Sequence, residues 1–510
     1  MGVRQFSLSE AGRACARTLA RTLALACLAL PLSGCFVGYE HPDLNLEVPD
    51  SYTAARKSRD ADLPPLDWWR GFRSRELTLL MEEAQTANLD IAAAVARIEQ
   101  ADAQVRIANA TLLPVLDANF SATRERTAIL GGTLRGGSPV SSLYNLNLTA
   151  SYTLDFWGRN RATLLAAEDN AIASRFDKDV VALTTLVSVA NTYFAALDAQ
   201  DRLRVARENL DASSRILDLI KQREQAGTAS QLEVSQQESL VATQRASIPP
   251  LEITLRQSKA ALAVLVGRAP EHFILAGGST YRIGTPRIAP GLPSELLNQR
   301  PDIRMAEENL RSANFTVESA RAAFFPTISL TGETGFESLA LKTLFGPGAW
   351  FYTMAASATQ PIFHGGALTG ALEQAQGRQL ELLQDYRKAV LSGFSDVEQA
   401  LIAVQQQALH ERYQREVVRA SKQAFDISYQ RLQQGTLDMV TLTQTQQTLF
   451  TAQDVLAQVR LSRLQAVVSL YQALGGGWSP TRPELAASAA RKPGYKPEPS
   501  PQPKPGSAPH

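Results

Sequence analysis

The stretch from Arg159 to Ala226 contains neither glycine nor proline, and glycines stand at both of its ends, Gly158 and Gly227. At 1.5 Å per residue, a helix of this length would extend about 100 Å, several times the length of an ordinary globular helix. Its apolar residues recur at alternating steps of four and three, the spacing of a coiled-coil seam. They are Phe176, Val180, Leu183, Val187, Ala190, Phe194 and Leu197. The sequence therefore predicts one very long helix over 159–226 that packs against other long helices.

The chain begins with the features of a secretory signal peptide. Within residues 1–34, several arginines precede an apolar run from Leu23 to Leu32, the order found in such peptides. The run ends in Leu32-Ser33-Gly34-Cys35, which resembles a bacterial lipobox, where the cysteine is acylated and becomes the new N-terminus. We expect a signal peptide over 1–34, palmitate on Cys35, and a lipidated N-terminal segment over 35–75.

Cysteine usage agrees with this interpretation. Cys15 and Cys27 lie inside the predicted signal peptide, which leaves Cys35 alone in the mature chain. A lone exposed thiol is a liability in an oxidising compartment, and acylation would remove it. Phe36 rather than an aspartate follows the cysteine, which favours sorting to the outer membrane.

Composition and motifs argue against an enzyme. The formal net charge is +1, so nothing indicates a nucleic-acid partner. The histidines are scattered without ligand spacing, at His41, His272, His364, His410 and His510. We find no nucleophile motif, phosphate loop or paired-cysteine metal site, and no stretch after the signal peptide that is apolar enough for a transmembrane helix. We expect no catalytic residue, no cofactor and no metal.

An internal duplication organises the rest of the chain. Pro114 and Pro326 are 212 residues apart, and Gly227 and Gly435 are 208 apart. Such a long period indicates a repeated architecture rather than a single globule. We expect two copies of one unit, at 76–290 and 291–480, followed by a Pro-rich disordered tail over 481–510.

Both copies show the same order of signals. Each has a helix ending at a proline, two alternating strands, a very long helix, a turn with glycine, and a return helix that ends at Gly267 or Gly475. The return helix of the first copy contains Pro249-Pro250, which should kink it. The predicted first helices are about 76–112 and 294–324, the strands about 115–128, 144–157, 327–337 and 349–362, and the long helices 159–226 and 366–434.

The strands alternate apolar and small polar residues. Leu146, Leu148 and Ala150 alternate with Asn147 and Thr149, for example. This period of two fits a strand with lipid on one side and water on the other. A soluble sheet half-buried on a core is the alternative, but the flanking helices are too long to fold over a small sheet. Four strands cannot close a barrel, so several chains must share one: two chains would give eight strands and three would give twelve.

Several motifs together carry a family resemblance over about residues 35–480. They are the lipobox at Cys35, Asp67-Trp68-Trp69 with Phe72, Asp155-Phe156-Trp157-Gly158-Arg159, Leu265-Val266-Gly267-Arg268-Ala269-Pro270, Arg300-Pro301-Asp302-Ile303-Arg304 and Ala322-Ala323-Phe324-Phe325-Pro326. The chain resembles the TolC-type outer-membrane efflux ducts, in the lipoprotein branch of the OprM and NodT proteins. The resemblance implies a mainly α fold with a membrane β-barrel, in which a homotrimer shares 12 strands in the outer membrane above a periplasmic helical tube. It also implies a tripartite efflux pump with a periplasmic adaptor and an inner-membrane transporter of the RND type.

The resemblance also implies where the duct closes. The turns with Gly227 and Thr228, and with Gly435 and Thr436, would be the helix-hairpin tips at the inner mouth. In relatives, apolar and acidic rings just past the second turn close this mouth; by position they fall on Val440 and Gln444, so the acid is missing here. Asp438 either replaces that acid or caps the return helix. The equivalent positions in the first copy are Leu232 and Gln236.

Two function classes compete with a duct. One is an enzyme, which has no residues to support it. The other is a non-conducting coiled-coil lipoprotein scaffold, which would have no use for two alternating strand pairs.

Overall fold

The structure, a computed structural model, describes residues 48–49, 51–53, 64–126, 140–286, 288, 293–476 and 478. The predictions for the signal peptide, for Cys35 and for the Pro-rich tail fall outside these residues. The described helices are α1 (Arg75–Ala87), α2 (Leu89–Ala110), α3 (Arg159–Gln225), α4 (Gln231–Leu265), α5 (Pro293–Gln299), α6 (Pro301–Ala322), α7 (Ala367–Gln433) and α8 (Met439–Ala473). Short 3₁₀ helices occur at Trp68–Phe72, Pro270–His272, Thr280–Arg282 and Leu341–Thr343.

The duplication is visible in the helix lengths. The long helices α3 and α7 each have 67 residues, and the return helices α4 and α8 each have 35. Each long helix therefore forms an antiparallel hairpin with a return helix about half its length. The prediction of two internal repeats is confirmed.

The first helix of each repeat is broken, where the sequence predicts one helix. The breaks lie at Asn88 and Arg300, which are equivalent residues. The Asn88 amide donates to the carbonyl of Leu265 at 2.8 Å, and the Arg300 guanidinium donates to the carbonyl of Ala473 at 3.3 Å. Each break thus places a donor at the last residue of a return helix, where carbonyl groups lack helical partners.

Glycines let the same helix ends approach closely. Gly267 (φ 74°) and Gly475 (φ 82°) follow α4 and α8 in the left-handed conformation. A Cβ atom would lie 2.3 Å from the Ala87 carbonyl oxygen at the first position and 2.1 Å from the Gln299 carbonyl oxygen at the second. Only glycine fits at either place.

The strands form one antiparallel sheet in the order β1–β2–β3–β4. Their bounds are β1 Val115–Arg126, β2 Val140–Leu154, β3 Thr327–Ser338 and β4 Trp350–Thr359. Along one rung, Phe120 faces Leu146, Leu146 faces Phe336, and Phe336 faces Trp350. Within the described strands, β1 and β4 each pair on one side only, so the sheet has two open edges.

The two faces of the sheet differ in polarity, as the alternation predicts. The polar face carries Asn145 and Asn147 beside Glu337 and Glu333, and each asparagine amide donates to the neighbouring glutamate. The apolar face is open: every residue of β1 is exposed, as are the side chains of Tyr352 and Met354. None of the apolar cores formed by the described residues includes a residue of the sheet, which contradicts the soluble half-buried alternative.

Two strands end earlier than predicted. We expected strands to 157 and to 362, whereas β2 ends at Leu154 and β4 at Thr359. The Asp155 carboxylate accepts from the backbone N–H groups of Asn160 and Arg161 at 2.9 Å, so it starts α3 instead of extending β2. Beyond β4, the Gln360 amide donates to two carbonyls, and Pro361 has no N–H for a ladder. The first predicted strand, 115–128, is described only to Arg126.

Helix α4 continues through Pro249 and Pro250, so the two prolines do not interrupt it. The kink that we expect at this place stays a prediction. Their missing N–H groups leave the carbonyls of Arg245 and Ala246 without helical partners. Both residues are exposed, so water can satisfy these carbonyls.

The chain divides into two compact units. Of the described residues, one unit contains the sheet with the adjoining helix ends (those between 104 and 167 and between 312 and 379), and the other contains most of the helical residues (those between 48 and 103, between 168 and 311 and between 380 and 478). The largest core lies in the helical unit. There the ring of Trp68 stacks on that of Tyr471, with 5.0 Å between the ring centroids, and the ring of Phe72 lies against that of Phe194, with 5.1 Å between the centroids. The Asp67-Trp68-Trp69 motif and Phe72 are therefore structural.

One window of α3 is, by length and composition, apolar enough to cross a membrane, which corrects our reading of the sequence. Half of that window is buried inside the chain. Leu186, Val189, Ala190, Phe194 and Leu197 all belong to the main core. The apolar run thus contributes its buried half to the main core of the helical unit, as a core helix of a soluble unit does.

Candidate functional site

The two hairpin turns have the same backbone geometry. Gly227 (φ 76°) and Gly435 (φ 73°) adopt the left-handed conformation after α3 and α7. The N–H of Thr228 donates to the carbonyl of Arg223 at 2.8 Å, and that of Thr436 donates to the carbonyl of Arg431 at 2.9 Å. These are Schellman motifs, which satisfy the last carbonyls of a helix.

The return helices begin with different caps. Ser230 and Glu233 form a reciprocal capping box at α4. At α8 the carboxylate of Asp438 accepts from the N–H of Thr441 at 2.9 Å and from its hydroxyl at 2.8 Å. The hydrogen bonds from Thr441 lower the pKa of Asp438, so this exposed carboxylate stays ionised. The structure thus supports the capping role for Asp438.

The predicted aperture residues lie just after these caps. Val440 is 60% exposed, and Leu232 at the equivalent position of the first hairpin is 66% exposed. Gln444 is exposed one turn after Val440, so both lie on one face of α8. Gln236 is half-buried and is thus less accessible than Gln444.

A small core holds the two hairpins together behind their tips. It consists of Ile216, Ile220, Val234, Leu432, Met439 and Leu442. The guanidinium of Arg223 donates to the carbonyl of Leu432 at 3.2 Å, which links the end of α3 to the end of α7. Sequence analysis missed this contact between repeats, because a heptad seam does not show which helix it faces.

Ser213 connects three helices deeper in this region. Its hydroxyl accepts from the Gln446 amide at 2.9 Å, and its carbonyl accepts from the Gln237 amide at 2.9 Å. All three residues are fully buried. Buried polar groups of this kind fix one arrangement of their helices, since sliding would break their hydrogen bonds.

A buried ion network, which the sequence did not suggest, braces the second hairpin. Glu411 on α7 accepts from Arg460 at 3.1 Å and from Arg463 at 2.5 Å, both on α8, and also from Arg415. Burial acts to raise the pKa of Glu411, but the Arg463 hydrogen bond and the positive charges around it together lower that pKa below its usual value. The carboxylate therefore remains charged inside the helical unit.

The same network binds the connector, which is the part of the chain between α4 and α5 that contains Thr280 and Ile283. Arg460 donates to the carbonyls of Thr280 and Ile283, at 3.3 and 2.8 Å. From the other side, the carboxylate of Asp201 on α3 accepts from the N–H and the hydroxyl of Thr280, at 2.8 and 2.7 Å. The connector thus joins the first long helix to the second return helix.

Near this point an ion pair links α3 directly to α8. Arg202 donates to both carboxylate oxygens of Asp454, at 2.7 and 3.1 Å. Asp198 lies one turn before Arg202 and is only 5% exposed. Burial raises the pKa of Asp198 to about 6, and Asp454 and Asp201 add to this effect while Arg202 opposes it.

A four-stranded sheet with one apolar face, together with two helical hairpins of equal lengths, is the architecture of an outer-membrane channel. The chain belongs to the outer membrane efflux protein family, whose model matches residues 80–268 and 292–476, one segment in each repeat. It is an outer-membrane channel component of an efflux pump. The scaffold alternative is wrong, because it accounts for neither the sheet nor the family.

Curated relatives and a solved structure agree with this assignment. The pyoverdine export outer membrane protein OpmQ of Pseudomonas putida is 38% identical over 472 residues, which cover 91% of this chain and 100% of that protein. The toluene efflux pump outer membrane protein TtgF of Pseudomonas putida is 31% identical, covering 88% and 96%. The open state of the MtrE outer membrane channel of Neisseria gonorrhoeae is similar with a TM-score of 0.72 and 31% identity, covering 86% of this chain and 97% of that one.

Proposed function

We propose that three copies of this chain close one 12-stranded barrel and act as the passive exit duct of a tripartite pump. The open sheet carries this proposal. In hydrocarbon, each unpaired backbone N–H or C=O group costs several kcal/mol, so β1 and β4 must pair with strands of other copies. Four strands are too few for a barrel, and the family resemblance favours three copies over two.

An exposed apolar stripe on α7 supports self-association. Its members recur at steps of four, seven, ten or eleven residues, which keeps them on one helix face. They are Leu380, Leu391, Ile402, Leu409, Tyr413, Val417 and Ile427, and each is at least 42% exposed. Exposed apolar side chains aligned on one face of a long helix suit packing against another helix, as in a coiled-coil seam. We assign it to a second copy of the chain.

The duct would receive its cargo from a periplasmic adaptor and an inner-membrane transporter of the RND type. The polar sheet face, with Asn145, Asn147, Glu333 and Glu337, would line a water-filled lumen. Relatives named for pyoverdine export and for toluene efflux handle chemically unlike cargo. That contrast supports an unselective duct, in which the transporter chooses the substrate.

The gate would lie at the second hairpin tip. Three copies would place three Val440 side chains near one axis, where an apolar ring resists wetting. Three Gln444 side chains would lie one turn further along α8. A glutamine ring neither repels itself nor binds cations strongly, so opening should depend little on divalent ions.

The lipid anchor would sit on Cys35, with the barrel spanning the membrane independently. Replacing Cys35 with Ser should abolish labelling by radioactive palmitate while conduction persists, because the barrel itself would span the membrane. Unchanged labelling of the Cys35→Ser variant would refute the anchor.

Two measurements on purified protein test the duct. The mass of the detergent-solubilised complex should equal three chains; a folded monomer would refute the shared barrel, and a dimer would favour eight strands. In planar bilayers the complex should conduct ions without an energy source. If a correctly folded trimer conducts nothing, even as the Val440→Ser variant, the passive duct is refuted.

A further inference from the structure

Within the described strands, the apolar face of the sheet carries charge at one place only. The charged residues of the described strands are Asp117, Arg124, Glu125, Arg126, Glu333 and Glu337. Residues two apart on a strand share a face, so all four acids lie on the polar face with Asn145 and Asn147. Arg124 and Arg126 lie on the apolar face, in line with Leu116 and Phe120.

The internal repeat gives the depth of these two arginines. Arg124 lies ten residues after Pro114, and its equivalent Phe336 lies ten residues after Pro326. In a barrel with regularly tilted strands, equivalent positions of the two repeats lie at the same depth. Phe336 faces Trp350 across β3 and β4, and Tyr352 follows on the same face. Aromatic residues of this kind mark a membrane–water interface.

Arg124 therefore lies at the aromatic level and Arg126 one step further from the membrane centre. Both are exposed, and their partners in the register, Ser142 and Val140, are neutral. A lipid-facing arginine costs about 2–4 kcal/mol at the midplane and about 0–1 kcal/mol near the interface. The pair is thus placed where arginine is tolerated and where the charges of lipid headgroups begin.

The ligand chemistry follows from the side chains. Arg124 and Arg126 are two residues apart on a strand, about 7 Å, and guanidinium groups bind phosphate with paired hydrogen bonds. No acid shares this face among the described strands, so the local potential is positive. In the proposed duct β1 would end at the outer side of the barrel, so the phosphates available there would belong to the outer leaflet.

We propose that Arg124 and Arg126 bind the phosphate groups of a phosphorylated glycolipid of the outer leaflet, of the lipid A class. The depth assignment rests on the barrel of the proposed function. Each trimer would hold three such sites at its rim, one on every β1. The attraction between these arginines and the lipid phosphates would help to hold the barrel at one depth in the membrane. The apolar band of the barrel would act in the same direction.

The test uses the full trimer in phosphatidylcholine nanodiscs, with bisphosphorylated lipid A or its dephosphorylated form titrated in. Bound lipid is counted by native mass spectrometry. We expect the wild type to bind the bisphosphorylated form at least tenfold more tightly than the dephosphorylated form. The Arg124→Gln/Arg126→Gln variant should lose that preference, whereas Arg124→Lys/Arg126→Lys should keep part of it. Arg412→Gln, which changes an arginine with a 70% exposed side chain on α7, is the matched control and should bind like the wild type.

The outcomes separate this inference from the proposed function. Assembly and conductance are measured on the same preparations. A conducting trimer that binds both lipid forms equally, or whose Gln variant binds like the wild type, overturns the inference and leaves the duct intact. Competition by inorganic phosphate at equimolar concentration would also overturn it, since the pair would then be a site for free phosphate. Loss of the trimer in wild-type protein would instead refute the proposed function.

Discussion

The two helical hairpins have equal lengths but different interiors. In the first, Leu203, Ala206 and Leu251 form a small apolar cluster between α3 and α4. In the second, the residue equivalent to Leu203 is Glu411, which is buried among Arg415, Arg460 and Arg463. At this one level of the hairpins, the interior is thus apolar in the first repeat and charged in the second.

This difference assigns different mechanical properties to the two hairpins. Apolar contacts are non-directional and tolerate small shifts of one helix along another. A buried carboxylate with three arginine donors requires a defined geometry, because any shift leaves a charge without partners. We expect the second hairpin to move as one body about the Glu411 network, and the first to adjust to it.

Copying the first repeat into the second should have the largest effect. Glu411→Leu introduces the residue found at Leu203 and leaves Arg460 buried without its carboxylate. Loss of one partner of a buried ion pair costs about 3–5 kcal/mol. The midpoint of thermal unfolding, followed by the helical circular dichroism, should fall clearly. The double variant Glu411→Leu/Arg460→Leu should recover only part of the loss, because it also removes the donor to the carbonyls of Thr280 and Ile283. A single variant that unfolds like the wild type would show that the network contributes no stability.

A second asymmetry is sensitive to pH. Asp198 is buried, and its equivalent in the second repeat is the uncharged Gln406. Because folding raises the pKa of Asp198 to about 6, the folded state holds a proton that the unfolded state releases near pH 4. This proton stabilises the folded state fully at pH values below about 4. The free energy of unfolding then falls by roughly 2–3 kcal/mol as the pH rises from about 4 to about 6.

The Asp198→Asn variant tests whether Asp198 lowers the stability of the protein as the pH rises. It should unfold at a higher temperature than the wild type at pH 7.5 and at a similar temperature near pH 4. Asp211→Asn, an exposed change on the same helix, is the control and should leave the pH profile unchanged. If the unfolding temperatures of Asp198→Asn and the wild type changed equally with pH, Asp198 would not have a raised pKa.

Exchanging the prolines should have a smaller effect. The second repeat has Ala457-Gln458 where the first has Pro249-Pro250. The variant Pro249→Ala/Pro250→Gln restores two backbone donors in α4 and should raise stability by about 1–2 kcal/mol. The unfolding midpoint measures the gain. A loss of stability would show that the prolines fix a helix shape that the assembled protein requires.

The hairpin tips offer the finest test of the asymmetry. If the second hairpin forms the constriction, Val440→Ser should raise single-channel conductance or open probability a few-fold, and Gln444→Asp should introduce cation block from the periplasmic side. Leu232→Ser, the equivalent change in the first hairpin, should alter conductance less. The reverse order would place the constriction at Leu232 and Gln236.

The sequence predicts the elements of this fold better than its contacts. Glycines and prolines at intervals of 208 and 212 residues locate the repeats, the turns and the strands, because these residues have local backbone effects. The breaks at Asn88 and Arg300 were not predictable, since each depends on a carbonyl at the end of a distant helix.

The candidate site shows the same division. The exposed positions of Val440 and Gln444 follow from their place after a capped turn. The Glu411 network and the connector between Asp201 and Arg460 join residues up to about 260 positions apart, and no local periodicity records such pairs. Charged residues at intervals along α7 look like a solvated face until the neighbouring helix is known.

The equal lengths of the paired helices limit how this chain can vary. One residue inserted into α3 would turn every later side chain by about 100° and shift it by 1.5 Å. Only insertions close to whole turns, of about seven or eleven residues, would keep the buried faces aligned. Even these would displace the tip at Gly227 from the tip at Gly435 unless α4, α7 and α8 grew by the same amount. Length changes are therefore expected in matched sets or in the loops, and single deletions in one long helix should abolish assembly.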